Sequence, residues 1–151
     1  MDFENTLGPW LGKTMKMIDY HFQETFKNSD VDLTKQQWIV LKILIKDDEK
    51  PQNELAFITN RDKASLTRLL SVMEKKNFIV RIPSEMDKRI NFIHITKIGR
   101  EVFKSTLPAM KILLERLQFQ LTEDEIQSTI GVLKKIQHNL SNKLFVAPTT
   151  K

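Results

Sequence analysis

Between Arg61 and Arg89 the chain changes its period. Leu66, Leu69, Leu70 and Met73 recur at helical spacing, and Phe78 to Ile82 then reads as a short β run. Pro83 to Lys88 is turn-forming, and Ile90 to Ile95 is a second β run with Asn91, Ile93 and Ile95 on one face. The same stretch holds eight Lys or Arg against four Asp or Glu, a net +4 in a chain whose total is +5. A helix followed by a basic hairpin is suited to gripping a duplex. This stretch is therefore the expected functional centre.

The totals set the outer limits. A chain of 151 residues suffices for one domain, 1–151, that buries roughly 70% of its unfolded surface. Scarce glycine and abundant helix formers predict a mainly α fold. The absence of Cys excludes disulfides, thiolate zinc sites and thiol-based redox sensing. The N-terminus is acidic before any apolar run and does not read as a signal peptide. No stretch approaches the ~20 apolar residues of a membrane span, so a soluble cytoplasmic protein with no membrane partner is expected. A pI near 9.4 favours a polyanionic partner.

Flanking elements follow from local signals. Leu7, Leu11, Met15, Ile18, Phe22 and Phe26 make one stripe on a helix over residues 5–27, widened by Trp10 and Met17. Thr34 and Gln37 form a capping box that opens a second helix, with Leu33 and Trp38 as its hydrophobic staple. Pro51 fits the first turn of a short third helix whose buried side is Leu55, Ala56 and Ile58. Asp62 is the predicted cap of a fourth helix over Lys63 to Lys76, with Asn60 the alternative. Asn77 stands where a left-handed residue ends a helix. Thr96 caps a fifth helix that Pro108 should kink. Thr122 and Glu125 repeat the capping box before a sixth, carrying Ile126, Ile130, Leu133, Ile136 and Leu140. The tail from Asn142 lacks a pattern and is expected to fray.

The second, third and fourth helices and the hairpin make a winged helix-turn-helix at residues 33–96, with the helical pair turning around Thr59–Asp62. The helices at 5–27 and 97–141 have more apolar face than this module covers. Dimerisation between two copies is the economical explanation.

At this point the sequence resembles the MarR family, the multiple-antibiotic-resistance regulators of transcription. The matching residues are Ser65-Leu-Thr67-Arg68-Leu-Leu, Glu74-Lys-Lys-Asn-Phe-Ile-Val-Arg81, and Asp87-Lys-Arg89 followed by Ile93-His-Ile95-Thr96-Lys-Ile-Gly99-Arg100. Asn77 replaces the family's usual Gly, a mild departure because Asn tolerates the left-handed conformation. The resemblance implies a homodimer on double-stranded DNA, with one recognition helix per subunit in successive major grooves of a pseudo-palindromic operator and both wings in flanking minor grooves. Repression is the family's usual mode. Lys63, Ser65, Thr67 and Arg68 then lie near the start of the recognition helix, within reach of base edges or phosphates. Arg89 is the minor-groove candidate, and Lys88 a phosphate contact. Asp87 is expected to orient a basic neighbour, Arg81 or Arg89. The family often binds a small aromatic or lipophilic effector between its dimer helices and winged module. Trp10 and Trp38 are the candidate contacts here, although both read first as core.

Blander readings hold elsewhere. Lys75 and Lys76 suit the negative end of a helix dipole and are expected to be solvated. His21, His94 and His138 lack metal-ligand spacing, so no metal is expected. No nucleophile–base set or Gly-rich phosphate loop is visible, so neither catalysis nor a cofactor is expected. The alternative reading is a protein–protein module whose winged helix meets an acidic partner without specific DNA binding. A third is a dimerisation domain that has lost its enzyme.

Overall fold

The computed structural model describes residues 2–29 and 31–141. The expectation for the tail from Asn142 lies outside the described residues. The chain divides into two compact units, residues 1–113 and 114–151.

The first unit opens with a 3-10 turn, Phe3–Asn5, and helix α1, Leu7–Asn28. Only the C-terminal end of α1 reaches the core, where Phe26 is buried. Helix α2, Lys35–Lys46, starts on the predicted capping box. The Gln37 amide donates to Thr34 Oγ1 at 3.3 Å, and the Thr34 amide donates to Gln37 Oε1 at 3.1 Å. Trp38 anchors α2. Its ring stacks on Phe103 at a centroid distance of 5.3 Å, and its indole N–H donates to the buried Thr106 hydroxyl at 2.9 Å. A buried indole is stable only with such a partner.

Two corrections concern the next segment. Lys50–Pro51 is a strand, β1, and Pro51 caps helix α3, Gln52–Ile58, from outside its first turn. An extended Pro51 pairs at the sheet edge, where its missing N–H is harmless. Leu55 is buried and Ala56 half-buried, but Ile58 is exposed.

Helix α4, Lys63–Lys75, begins at Asp62, whose Oδ1 accepts from the Ser65 amide at 2.8 Å. It ends as predicted, with Asn77 in the left-handed region at φ 58°. Strands β2, Ile79–Pro83, and β3, Asn91–Ile95, pair antiparallel, with Ile79 opposite Ile95 and Pro83 opposite Asn91. β1 adds to the other edge of β3, with Lys50 opposite Ile93. The wing is thus rooted in a three-stranded sheet of order β1-β3-β2 rather than in a lone hairpin. Leu41, Leu44, Leu55, Leu66, Leu70 and Ile93 are fully buried and join the helices to the sheet.

Asp48 locks this arrangement, accepting from the Ile95 amide at 2.9 Å and from an Arg100 guanidinium nitrogen at 2.8 Å. Helix α5, Lys97–Leu117, is capped by Thr96, whose hydroxyl accepts from the Gly99 amide at 3.0 Å. Pro108 lies exposed inside α5 without ending it.

In the second unit, helix α6, Glu123–Ser141, starts on the second predicted capping box. The Thr122 amide donates to Glu125 at 2.8 Å, and the Glu125 amide donates back to the Thr122 hydroxyl at 3.3 Å. No residue of α6 is buried within the chain.

Candidate nucleic-acid interface

The turn between α3 and α4 is built by local hydrogen bonds. The Thr59 amide donates to Leu55 O and the Arg61 amide to Ala56 O, each at 2.9 Å, while Asn60 takes φ 50°. These bonds set the exit angle of α4 and so aim its first turns outward. Lys63 and Arg68 are exposed there, and their side chains make no hydrogen bond or ion pair among the described residues.

Ser65 and Thr67 are engaged differently. The Ser65 hydroxyl accepts from an Arg61 guanidinium nitrogen at 2.9 Å. The Thr67 hydroxyl donates to Lys63 O at 2.8 Å and accepts from Gln52 Nε2 at 2.9 Å. Both hydroxyls therefore help hold α4 in place, with fewer sites left over for a ligand than Lys63 or Arg68 offers.

Asp87 orients Arg89, one of the two neighbours expected for it. Its Oδ1 accepts from the Arg89 amide at 3.0 Å and from Arg89 Nε at 3.1 Å, and its Oδ2 lies 3.3 Å from Nη2. The Arg89 side chain is nonetheless 91% exposed. A fork held at its base and open at its tip is preorganised for a second anion. Lys88 beside it is exposed.

Arg81 does not meet Asp87. Its Nη2 donates to Thr67 O at 3.2 Å and to Ser71 Oγ at 2.8 Å, and its amide donates to Glu74 Oε1 at 3.3 Å. Its Nε is buried 3.7 Å from Glu74 Oε2, within ion-pair range but beyond a hydrogen bond. Arg81 therefore ties β2 to α4 and holds the wing's root, not its tip. Lys76 also departs from expectation. It pairs with Asp32 at 2.9 Å and points its ammonium at Gln37 Oε1, 3.4 Å away, so it joins α4 to the start of α2 instead of being solvated.

The recognition helix and wing share one cleft of about 340 Å³, lined by Lys63 and Leu66 of α4, Arg89 and Ile90 of the wing, Gln52, Asn53 and Ala56 of α3, and Asn91 of β3. It has cationic and amide side chains on its walls and no acidic residue. The sequence reading missed Gln52 and Asn53. Both open α3, at the end away from the turn, and reach the cleft only because α3 packs beside α4 and the wing. Among the described residues no three His, Asp or Glu converge on a metal-sized site.

Trp10 and Trp38 occupy unlike environments. Trp38 is core. Trp10 is 61% exposed, with its indole N–H donating to Glu4 O at 3.1 Å, so the expectation that it is core is corrected.

The Asp87 carboxyl is held below its ordinary value near 3.8, first by the Arg89 side chain and then by the Arg89 amide. A depressed carboxylate contributes order above its unfolded pKa and loses it as pH falls through the folded value. The Arg89 Nε–H resonance should therefore keep its paired chemical shift down to below pH 3.8. Loss of that shift at higher pH would contradict the pairing.

Comparison with known proteins agrees with this geometry. Residues 31–90 match the MarR family model. The transcriptional regulator SarZ of Staphylococcus aureus (strain MRSA252) is 30% identical over 114 residues, 75% of this chain and 76% of SarZ. The chain belongs to the MarR family. It is therefore a winged helix-turn-helix transcriptional regulator and not an enzyme. Matches to curated relatives span from 63% to 88% of those proteins' own lengths. Two solved structures share the fold. The repressor CouR bound to a 23-mer DNA duplex superposes with a TM-score of 0.81 at 21% identity, over 90% of this chain and 95% of CouR. Bordetella bronchiseptica BpsR, whose DNA binding is regulated by 6-hydroxynicotinic acid, gives 0.82 at 19% identity, over 91% and 96%. No helix among the described residues of this MarR-family chain is long and apolar enough to cross a membrane.

Proposed function

We propose that this MarR-family protein is a cytoplasmic repressor that binds a pseudo-palindromic operator as a homodimer and is released by a small aromatic effector. The observation that carries the DNA reading is the pair of exposed cations Lys63 and Arg68 in the first turns of α4, with Lys63 lining the same cleft as the preorganised Arg89. The major groove takes the helix and the minor groove takes the wing. CouR, caught on a duplex, supports the same use of the fold.

The homodimer follows from uncovered apolar surface. On α1, Leu7, Trp10 and Met17 are each more than half exposed, and on α5 Ile112 is 66% exposed. On α6, Leu140 is 83% exposed. A second copy covering these helices would remove from water a surface too apolar for a monomer. The effector class rests on BpsR, regulated by an aromatic acid. Trp10 lies on the α1 surface that the second copy would cover, so such a molecule would meet it at that interface, whereas Trp38 is committed to the core.

Selection from random duplex DNA tests the reading. A palindrome with half-sites about one helical turn apart should be recovered. Its affinity should fall linearly on a log–log plot against salt, because each neutralised phosphate releases counterions. Failure to enrich any sequence would overturn the proposal in favour of a protein partner. A screen of phenolic and other aromatic acids for thermal stabilisation and operator release tests the effector, and silence across all classes would remove it.

A further inference from the structure

The wing tip carries an apolar side chain that nothing in the chain covers. Met86 is 98% exposed. It is not on a floppy loop. The Ser84 hydroxyl accepts from the Met86 amide at 3.2 Å and from the Asp87 amide at 3.3 Å. The Ser84 amide donates to Ile90 O at 2.8 Å, and the Ile90 amide donates to Asp87 O at 2.9 Å. The turn is closed on itself, so Met86 is presented rather than merely tolerated.

Charge alone does not explain how this tip would dock. Glu85 and Asp87 balance Lys88 and Arg89, so the tip is electrically neutral. Attraction to a polyanion there is confined to the outer edge of Arg89 and to Lys88. A neutral tip gains affinity by burying apolar surface, and Met86 is the exposed apolar group between Ser84 and Arg89. The minor groove, about 6 Å wide, admits a single aliphatic side chain. Methionine is among the residues that wedge between base steps there and unstack them. Pyrimidine–purine steps yield most easily to such a wedge.

We propose that Met86 enters the minor groove beside Arg89 as an apolar wedge, and that it makes the operator flanks favour TA and CA steps. This rests on the DNA-binding reading above. It also separates two preferences within one wing. Arg89 favours a narrow, stiff groove, whereas Met86 favours a deformable step.

The test is binding-site selection with randomised flanks for the full chain, Met86→Ala, Met86→Leu and Arg89→Ala. Met86→Ala should weaken binding roughly tenfold and erase flanking TA and CA enrichment. It should leave the half-site sequence and the salt slope intact, because the side chain is uncharged. Met86→Leu should retain both affinity and flanks. A 2-aminopurine placed at the flanking step should brighten on binding of the full chain and not of Met86→Ala. If Met86→Ala selects the same flanks at unchanged affinity while Arg89→Ala is impaired, the wedge is wrong and the DNA-binding reading stands. If both variants bind as the parent does, the wing reading itself is overturned.

Discussion

Arg68→Ala and Arg89→Ala are each expected to weaken operator binding by about 1–3 kcal/mol. They should do so in different ways. Arg68 is exposed on α4 and makes no hydrogen bond among the described residues that would hold it from a base edge, so its loss should relax base preference within the half-site. Arg89 is already held by Asp87 and 91% exposed, so its loss should act on the flanks and leave the half-site readable. Asp87→Ala should imitate Arg89→Ala in part, because the guanidinium remains but is no longer oriented. Equilibrium binding to one operator and to flank-scrambled versions measures all three. Unchanged affinity in both arginine variants would sink the site assignment.

How much of this was legible in the sequence depended on how local each interaction is. The capping pairs Thr34–Gln37 and Thr122–Glu125, and the caps Asp62 and Thr96, lie within three residues of their partners. Local chemistry decides them, and a single sequence displays it. The Asp87–Arg89 fork is equally local. By contrast, β1 is only Lys50–Pro51 and exists because Phe92 and Ile93 lie alongside it. No propensity in two residues could announce that. The partners of Arg81, on Thr67, Ser71 and Glu74, and those of Lys76, on Asp32 and Gln37, need a packed helix to come near. Helical periodicity found the apolar stripe on α1 but could not say what covers it. Trp10 proved exposed within the chain for that reason.

The larger expected loss of stability is at Gly99. Gly99 is buried in the first turn of α5, and a Cβ built there would lie 2.2 Å from Phe78 O and 3.0 Å from Ile95 Cγ1. The offending atom is backbone, so no rotamer change relieves it. That same carbonyl accepts from the Thr96 amide at 3.1 Å, and the Gly99 amide is itself capped by Thr96 at 3.0 Å. A methyl group must therefore push α5 off the turn that Asn77 makes with its left-handed backbone, and both bonds lengthen together. Overpacking of this kind costs about 1–3 kcal/mol, and the upper end is expected for Gly99→Ala because it also strips a helix cap. Chemical denaturation should show a lowered midpoint with an unchanged slope. The junction also joins the end of β3 to α5, so a variant that still folds should hold its wing at a different angle to the helix carrying Met110 into the core. Operator affinity should then fall while binding to unrelated duplex DNA persists. An unaltered midpoint would show that the contact at Phe78 relaxes freely, and that this family-motif glycine is not required for packing.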